Sequence, residues 1–348
     1  MFPSTSPEAG RESWPAEPHA GPAAAATRAP RTGPATTDGD RRERGGPRRA
    51  RRSGEPARKS EDEVDEPEEE VVPPVEVHRQ LALTIAGFAA LLGVGLVLGA
   101  QTSGPGHRLP FAFIIFGVQL LFVLAWTMAM RPPALLVVAG ISAGVAALAD
   151  VAAVQSDIAG LAPLGYLAVG GFVAAVLGQL VRRVDRVRVT DSLGATLLIV
   201  VGVVAFGTLI VLSRIPAGTQ AITVCLTASG VALTVARLTD AVLPWPRLAP
   251  QVPRGAAGVV AGAMVGTLTS ALLGSYLVAP FTPTRAAVIG LVAAVTAVLT
   301  DLAVGYAEAG RLMAGEPPTM WVARHMQGPL GGFALAAPAA YAMCVLFL

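Results

Sequence analysis

Past residue 77 the chain contains no lysine, and its remaining 271 residues carry only 14 arginines and eight acidic residues. Charged residues make up 14% of all 348 positions, against about 25% in an average soluble domain. A soluble core of this size cannot cover its surface with so little charge, which excludes a soluble enzyme. The net charge of +2 excludes a nucleic-acid binder that works by neutralising phosphates. Cysteine is almost absent. Cys225 and Cys344 both lie in apolar runs, so they form neither a disulfide framework nor a metal cluster and read as buried small hydrophobes. No signal peptide is legible, because no apolar stretch occurs before about residue 81. What is abundant is apolar surface: 53% of residues are hydrophobic and the mean hydropathy is +0.58. These values describe an integral membrane protein behind a polar tail. The preference for Arg over Lys, with much Ala, Gly, Pro and Val, fits a GC-rich, bacterial coding sequence.

Residues 1–77 are rich in Pro, Ala, Gly, Arg and Glu and lack apolar periodicity. Such a segment buries too little apolar area to offset its chain entropy, so it is expected to be disordered. It divides into a basic block, Arg41 to Lys59, and an acidic block, Glu61 to Glu76. Together they read as a solvated linker, since the acidic block lies nearer the membrane and repels an anionic surface. The alternative is a polybasic patch that touches anionic lipid.

From residue 78 to 348 the chain reads as one multi-pass membrane domain. A bilayer core needs about 20 apolar residues per helix. Nine segments qualify: 81–100, 110–130, 133–153, 159–181, 192–213, 217–236, 255–279, 285–306 and 329–348. The fold class is thus an all-α integral membrane protein of about nine transmembrane helices after a disordered N-terminal tail. Pro, Gly and Arg clusters separate the spans, and the short break at Arg131-Pro132-Pro133 predicts a helical hairpin. Gly255, Gly258, Gly262 and Gly266 permit close helix approach.

Arginine placement predicts the topology. One set of loops holds Arg131, Arg182, Arg183, Arg186, Arg188, Arg237, Arg247, Arg254, Arg311 and Arg324; the other holds Arg108, Arg214 and Arg285. The positive-inside rule then puts the N-terminus in the cytoplasm and the C-terminus outside, in the plasma membrane.

The two longest loops, 237–254 and 307–328, read as cytoplasmic and polar. Asp240 just after the sixth span and Asp301 inside the eighth are the candidate catalytic residues, because an ionisable group at membrane depth must be compensated. Asp301 reads as about one turn from the inner end of its helix. Its structural alternative is a helix-end carboxylate paired with an arginine. Asp150 reads as an outer-end residue, and Asp185 and Asp191 as local ion-pair partners of the Arg-rich loop. Trp245, Trp321 and His325 read as interfacial anchors.

The stretch Asp240-Ala-Val-Leu-Pro-Trp-Pro-Arg247-Leu-Ala-Pro, followed by Val252-Pro253-Arg254, resembles the central segment of phosphatidate cytidylyltransferases, the CDP-diacylglycerol synthases. Arg285-Ala-Ala-Val-Ile-Gly-Leu to Thr300-Asp301-Leu302 resembles that family's helix leading to Gly-Asp-Leu, and the interval to Ala336-Ala337-Pro338 matches without a gap. The resemblance spans 80–348 and is strongest over 237–341. It implies a nine-helix fold with a cytoplasm-facing site, where the phosphate of phosphatidate attacks the α-phosphate of CTP and pyrophosphate leaves. That chemistry uses Mg²⁺ held by carboxylates and basic residues around the triphosphate. On this resemblance Asp301 is the metal ligand, a second carboxylate would have to be Asp240 or Glu308 in a different geometry, and Arg247, Arg254, Arg311 and Arg324 are the substrate-binding residues.

The chain departs from the pattern at most other motif positions. The family's Lys-Lys-Thr-Trp-Glu falls on Arg254-Gly-Ala-Ala-Gly258, its Lys-Arg on Glu308 and Ala309, and its Lys-Asp on Ala314 and Gly315. Its His-Gly-Gly falls on Ala323, Arg324 and His325, and its second metal Asp on Gly328. No Asp or Glu follows Glu316. The reading that results is a family member of phospholipid metabolism with lost or altered catalysis. Its partner is a phosphatidate-like membrane lipid, with CTP and Mg²⁺ only if it is active, and a second copy of the chain is a candidate partner. Two alternatives stand beside it: an active cytidylyltransferase with a rearranged metal site, and a small-solute transporter. The transporter lacks a visible inverted repeat.

Overall fold

In a bilayer every backbone N–H and C=O must find its partner within the segment, so apolar runs of this length become helices. The computed structural model describes residues 75, 77–102, 108–156, 158–181 and 188–347. The disordered-tail reading of 1–77 lies outside these residues except at Val75 and Val77, as do Arg182, Arg183, Asp185 and Arg186. The described residues form nine helices and no strand. In order they are α1 (Arg79–Gln101), α2 (Leu109–Met130), α3 (Leu135–Gln155), α4 (Ala162–Val181), α5 (Val189–Leu212), α6 (Gly218–Val242), α7 (Ala256–Gly274), α8 (Pro283–Met313) and α9 (Trp321–Phe347). All nine are long and apolar enough to cross a membrane. The expected hairpin is present: α2 ends on Arg131 in the left-handed conformation, its N–H bonded to Thr127 O at 3.0 Å, and α3 starts four residues later.

Three helices extend six or more residues past their expected limits. α6 continues through Val242 rather than stopping at 236, α8 runs to Met313 rather than 306, and α9 begins at Trp321 rather than 329. The two long loops shrink accordingly to 243–255 and 314–320. Residues that read as loop charges, Arg237, Asp240, Glu308, Arg311 and Arg324, are therefore helical. Each is compensated by a neighbouring helix or loop, so the charge that interrupts an apolar window does not interrupt the helix. Gly328-Pro329 looked like a helix start, yet Pro329 lies inside α9. Neighbouring helices can re-satisfy the backbone groups that a buried proline frees.

α6 is the centre of one helical group, packed on α1, α7 and α8. α5 is the centre of another, packed on α2, α3 and α4. The two centres barely touch. α9 joins them, packing on α8 and α6 on one side and on α5 and α2 on the other. α7 is held close to α6 by the expected small residues: Gly258, Gly262 and Gly266 face the carbonyls of Ala236, Ala232 and Ala228, where a side chain has no room.

Contacts between helix ends define two faces. On one, Arg311 donates to Ala129 O at 2.8 Å, joining the ends of α8 and α2, and Arg188 pairs with Asp191 at 2.5 Å. On the other, Arg214 donates to Ala153 O and Ser156 Oγ, both at 2.7 Å, and Arg108 donates to Val154 O at 3.2 Å.

Candidate functional site

The Arg-rich face contains a buried ionic cluster built by α6, the 243–255 loop and α8. Arg237 and Asp240 stand one turn apart on the last turns of α6, and so share a face. The chain then doubles back: Arg247 and Gly255 form an antiparallel bridge, and Ala256 N–H bonds to Pro246 O at 2.8 Å. This tight return buries Val252 and turns Arg254 into the bundle, where it is only 2% exposed. Gly255 N–H, at the start of α7, donates to Asp240 Oδ1 at 3.0 Å. A carboxylate there also complements the positive end of the helix.

Asp301 is fully buried at 0% exposure. It lies 18 residues into α8, or about 27 Å along the axis, near the edge of a ~30 Å hydrocarbon core counted from Pro283. It is about three turns from the end of α8, not one, because α8 continues beyond the expected limit. Both of its oxygens are taken. Arg237 Nε donates to Oδ2 at 3.0 Å and Nη2 to Oδ1 at 2.5 Å, while Arg254 Nη1 donates to Oδ2. Arg254 Nε also lies 2.7 Å from Asp240 Oδ2. Two guanidiniums and two carboxylates thus form a charge-neutral chain, Arg237–Asp301–Arg254–Asp240. Burial alone lowers the pKa of Arg254, but Asp301 and Asp240 beside it outweigh that and hold it above the usual arginine value.

α9 closes over this cluster at Gly328, where a Cβ would fall 1.9 Å from Asp301 Oδ1 and 3.3 Å from Arg237 Nη2. Only a residue without a side chain leaves the bidentate pair undisturbed. A cavity of about 240 Å³ opens beside the cluster, with Arg237, Arg254, Asp301, Glu308, Arg324 and His325 on its wall. Among the described residues Arg254 Nη2 and His325 Nε2 are buried without a hydrogen-bond partner. Val75 sits at the rim, its N–H bonded to Pro250 O at 3.0 Å.

Of the candidate residues, Asp301, Asp240 and Arg254 meet in one cluster, and Arg324 lines the same cavity, paired with Glu308 at 2.5 Å. Arg247 and Arg311 are directed elsewhere. Arg247 donates to Val75 O at 2.5 Å and covers the Trp245 ring, and Arg311 caps the end of α2. Arg237 is the member that sequence reasoning missed as a site residue; its spacing of three from Asp240 was the available signal. Trp245 and Trp321 are exposed and His325 packs edge-on against Trp321, with 5.3 Å between ring centroids. Cys225 and Cys344 are buried, as read.

The arrangement does not fit a divalent cation. Mg²⁺ bound by protein needs free carboxylate oxygens, and those of Asp301 face guanidinium groups. Arg254 stands between Asp301 and Asp240. Among the described residues no three His, Cys, Asp or Glu side chains converge on a common point.

Fold and site together define a multi-pass, all-helical membrane protein with a buried ion-pair cluster at one face. Comparisons with protein-family models, with curated proteins and with solved structures find no match for this chain.

Proposed function

We propose that the chain is a phosphatidate-cytidylyltransferase-like membrane protein of phospholipid metabolism that has lost ordinary catalysis and binds a phosphatidate-like lipid at the Arg-rich face. The observation that carries this reading is the bidentate clamp of Arg237 on Asp301, completed by Arg254, which occupies the oxygens a metal ion would use. Position 328, where the resemblance puts a second metal-binding Asp, abuts Asp301 and is glycine. Arg237 fills the space beside it. The retained chemistry is anion recognition: Arg254 Nη2 is a buried donor without an acceptor among the described residues, beside a cavity that also presents Arg237, Arg324 and His325. The excess of arginine on this face supports a cytoplasmic orientation by the positive-inside rule, and the reading puts the chain in the plasma membrane.

The test is incubation of the purified full chain with phosphatidate and radiolabelled CTP, with Mg²⁺ or Mn²⁺. The expected result is no CDP-diacylglycerol but saturable phosphatidate binding, weakened by Arg324→Met. Metal-dependent turnover abolished by Asp301→Asn overturns the loss of catalysis. Phosphatidate binding no tighter than that of neutral diacylglycerol overturns the headgroup site.

A further inference from the structure

A second buried polar group lies at the opposite face, between α2 and α3. Asp150 is 6% exposed and stands five residues before the end of α3, about 8 Å from it along the axis. Its Oδ1 accepts a hydrogen bond from Gln119 Nε2 at 2.9 Å, and that same amide donates to Val203 O at 3.0 Å. Asp150 Oδ2 is buried and has no hydrogen-bond partner among the described residues. A pocket of about 250 Å³ has Asp150 in its lining, with Leu109, Ala112, Phe113, Phe116, Val151 and Val154 as its apolar walls. Among the described residues that line it, Asp150 is the only ionisable one.

Among the described residues no Arg, Lys or His forms an ion pair with this carboxyl. The described parts of α2 and α4 carry no charged residue, and Asp191 of α5 is paired with Arg188 at the far face. Arg108, ahead of α2, and Arg214, after α5, lie at the near face. They donate to the backbone at Val154 and at Ala153 and Ser156. A carboxyl at membrane depth with half its bonding capacity unused is compensated either by a proton or by a partner of positive charge. A divalent metal needs more oxygen ligands than one carboxyl and one amide supply. The apolar walls select for a hydrocarbon body, and the lone carboxyl oxygen selects for an N–H donor of positive charge.

We propose that the pocket between α2 and α3 is a binding site for a lipophilic primary amine, its ammonium group on Asp150 Oδ2 and its hydrocarbon chain against the apolar walls. The site's position near the end of α3 suits an amphiphile whose charged head enters from the interface.

The probe is dodecylamine, tested on the purified full chain in neutral-lipid nanodiscs and compared with dodecanol. Dicyclohexylcarbodiimide reports on the carboxyl. The acid adds across one C=N bond, its oxygen bonding the central carbon and its proton passing to nitrogen, so the Asp150 peptide gains the mass of one carbodiimide. Capture of this O-acylisourea by dodecylamine releases dicyclohexylurea and leaves the amide, the mass of the amine less one water, and that product is counted as labelled, not as protected. The expected result is labelling at Asp150 that falls about tenfold at dodecylamine ten times its Kd and does not respond to dodecanol. Asp150→Asn is expected to abolish saturable amine binding. Ala147→Phe, which adds a ring to the pocket from a half-buried position, is expected to weaken it while the fold persists. Labelling that dodecylamine leaves unchanged, equal protection by dodecanol, or amine binding that survives either substitution overturns the proposal. Should Asp150→Asn fail to fold, the Ala147→Phe result decides.

Discussion

Arg237 and Asp301 meet face to face, 64 positions apart in the chain, with Nε donating to Oδ2 at 3.0 Å and Nη2 to Oδ1 at 2.5 Å. This fork-on-fork pairing fixes the rotation of α6 against α8, because a planar guanidinium and a planar carboxylate match in only one orientation.

Breaking the pair from the acidic side strands two arginines. Asp301→Ala leaves Arg237 and Arg254 without their shared counter-ion in a buried site. Removal of one partner from such a pair costs about 3–5 kcal/mol. Equilibrium unfolding in mixed micelles is expected to show a loss in that range. A loss below about 1 kcal/mol would mean that the guanidiniums reach water instead.

Gly328 tests the closeness of α9 to the cluster. Gly328→Ala puts a methyl group into the space of Asp301 Oδ1 and is expected to destabilise by about 1–3 kcal/mol through overpacking. Gly310, on the exposed part of α8, has nothing within 4 Å of its Cβ position. There the same substitution is expected to stabilise by about 0.5–1 kcal/mol, as Ala replaces Gly in a helix. Similar effects at the two positions would contradict the packing of α9 on Asp301.

Arg324 and Glu308 form a more accessible pair, with side chains 23% and 20% exposed. A double-mutant cycle with Arg324→Met and Glu308→Gln is expected to give a coupling energy of about 1 kcal/mol, well below the cost of losing Asp301.

The two cysteines provide a test of the core. Cys225 and Cys344 are buried in α6 and α9, so a soluble maleimide is expected to leave both unmodified in the folded protein. Denaturation should expose both together. Rapid labelling of either in the native state would show that α9 does not pack as described.

The helical architecture was legible because apolar length and arginine spacing report directly on membrane crossing. The helix ends were not. Arg237, Asp240, Glu308 and Arg324 lower the hydropathy of their windows, and nothing local reveals that each finds a partner on another segment. The same physics explains the site. Asp301 and Asp240 stood out as acids near membrane depth, and Arg254 stood out through the motif it belongs to. Arg237 looked like one more topological charge, because its partner lies 64 residues away. Arg247 and Arg311 carry the same chemistry as Arg254 but donate to backbone carbonyls, a distinction set by the path of the 243–255 loop for Arg247 and by the approach of the end of α8 to the end of α2 for Arg311. Asp150 was placed near a helix end correctly, while its contact with Gln119 of α2 follows only from how α2 and α3 pack.

The bridging place of α9 has a consequence for biogenesis. During synthesis the groups centred on α5 and α6 both leave the ribosome before the helix that joins them. Until α9 inserts, lipid fills the seam between the two groups, and Asp301 lacks the cover that Gly328 gives it. A nascent chain arrested before residue 321 is therefore expected to be a hinged pair of half-bundles, open to membrane quality-control proteases. Completing the last described helix converts that intermediate into a resistant product.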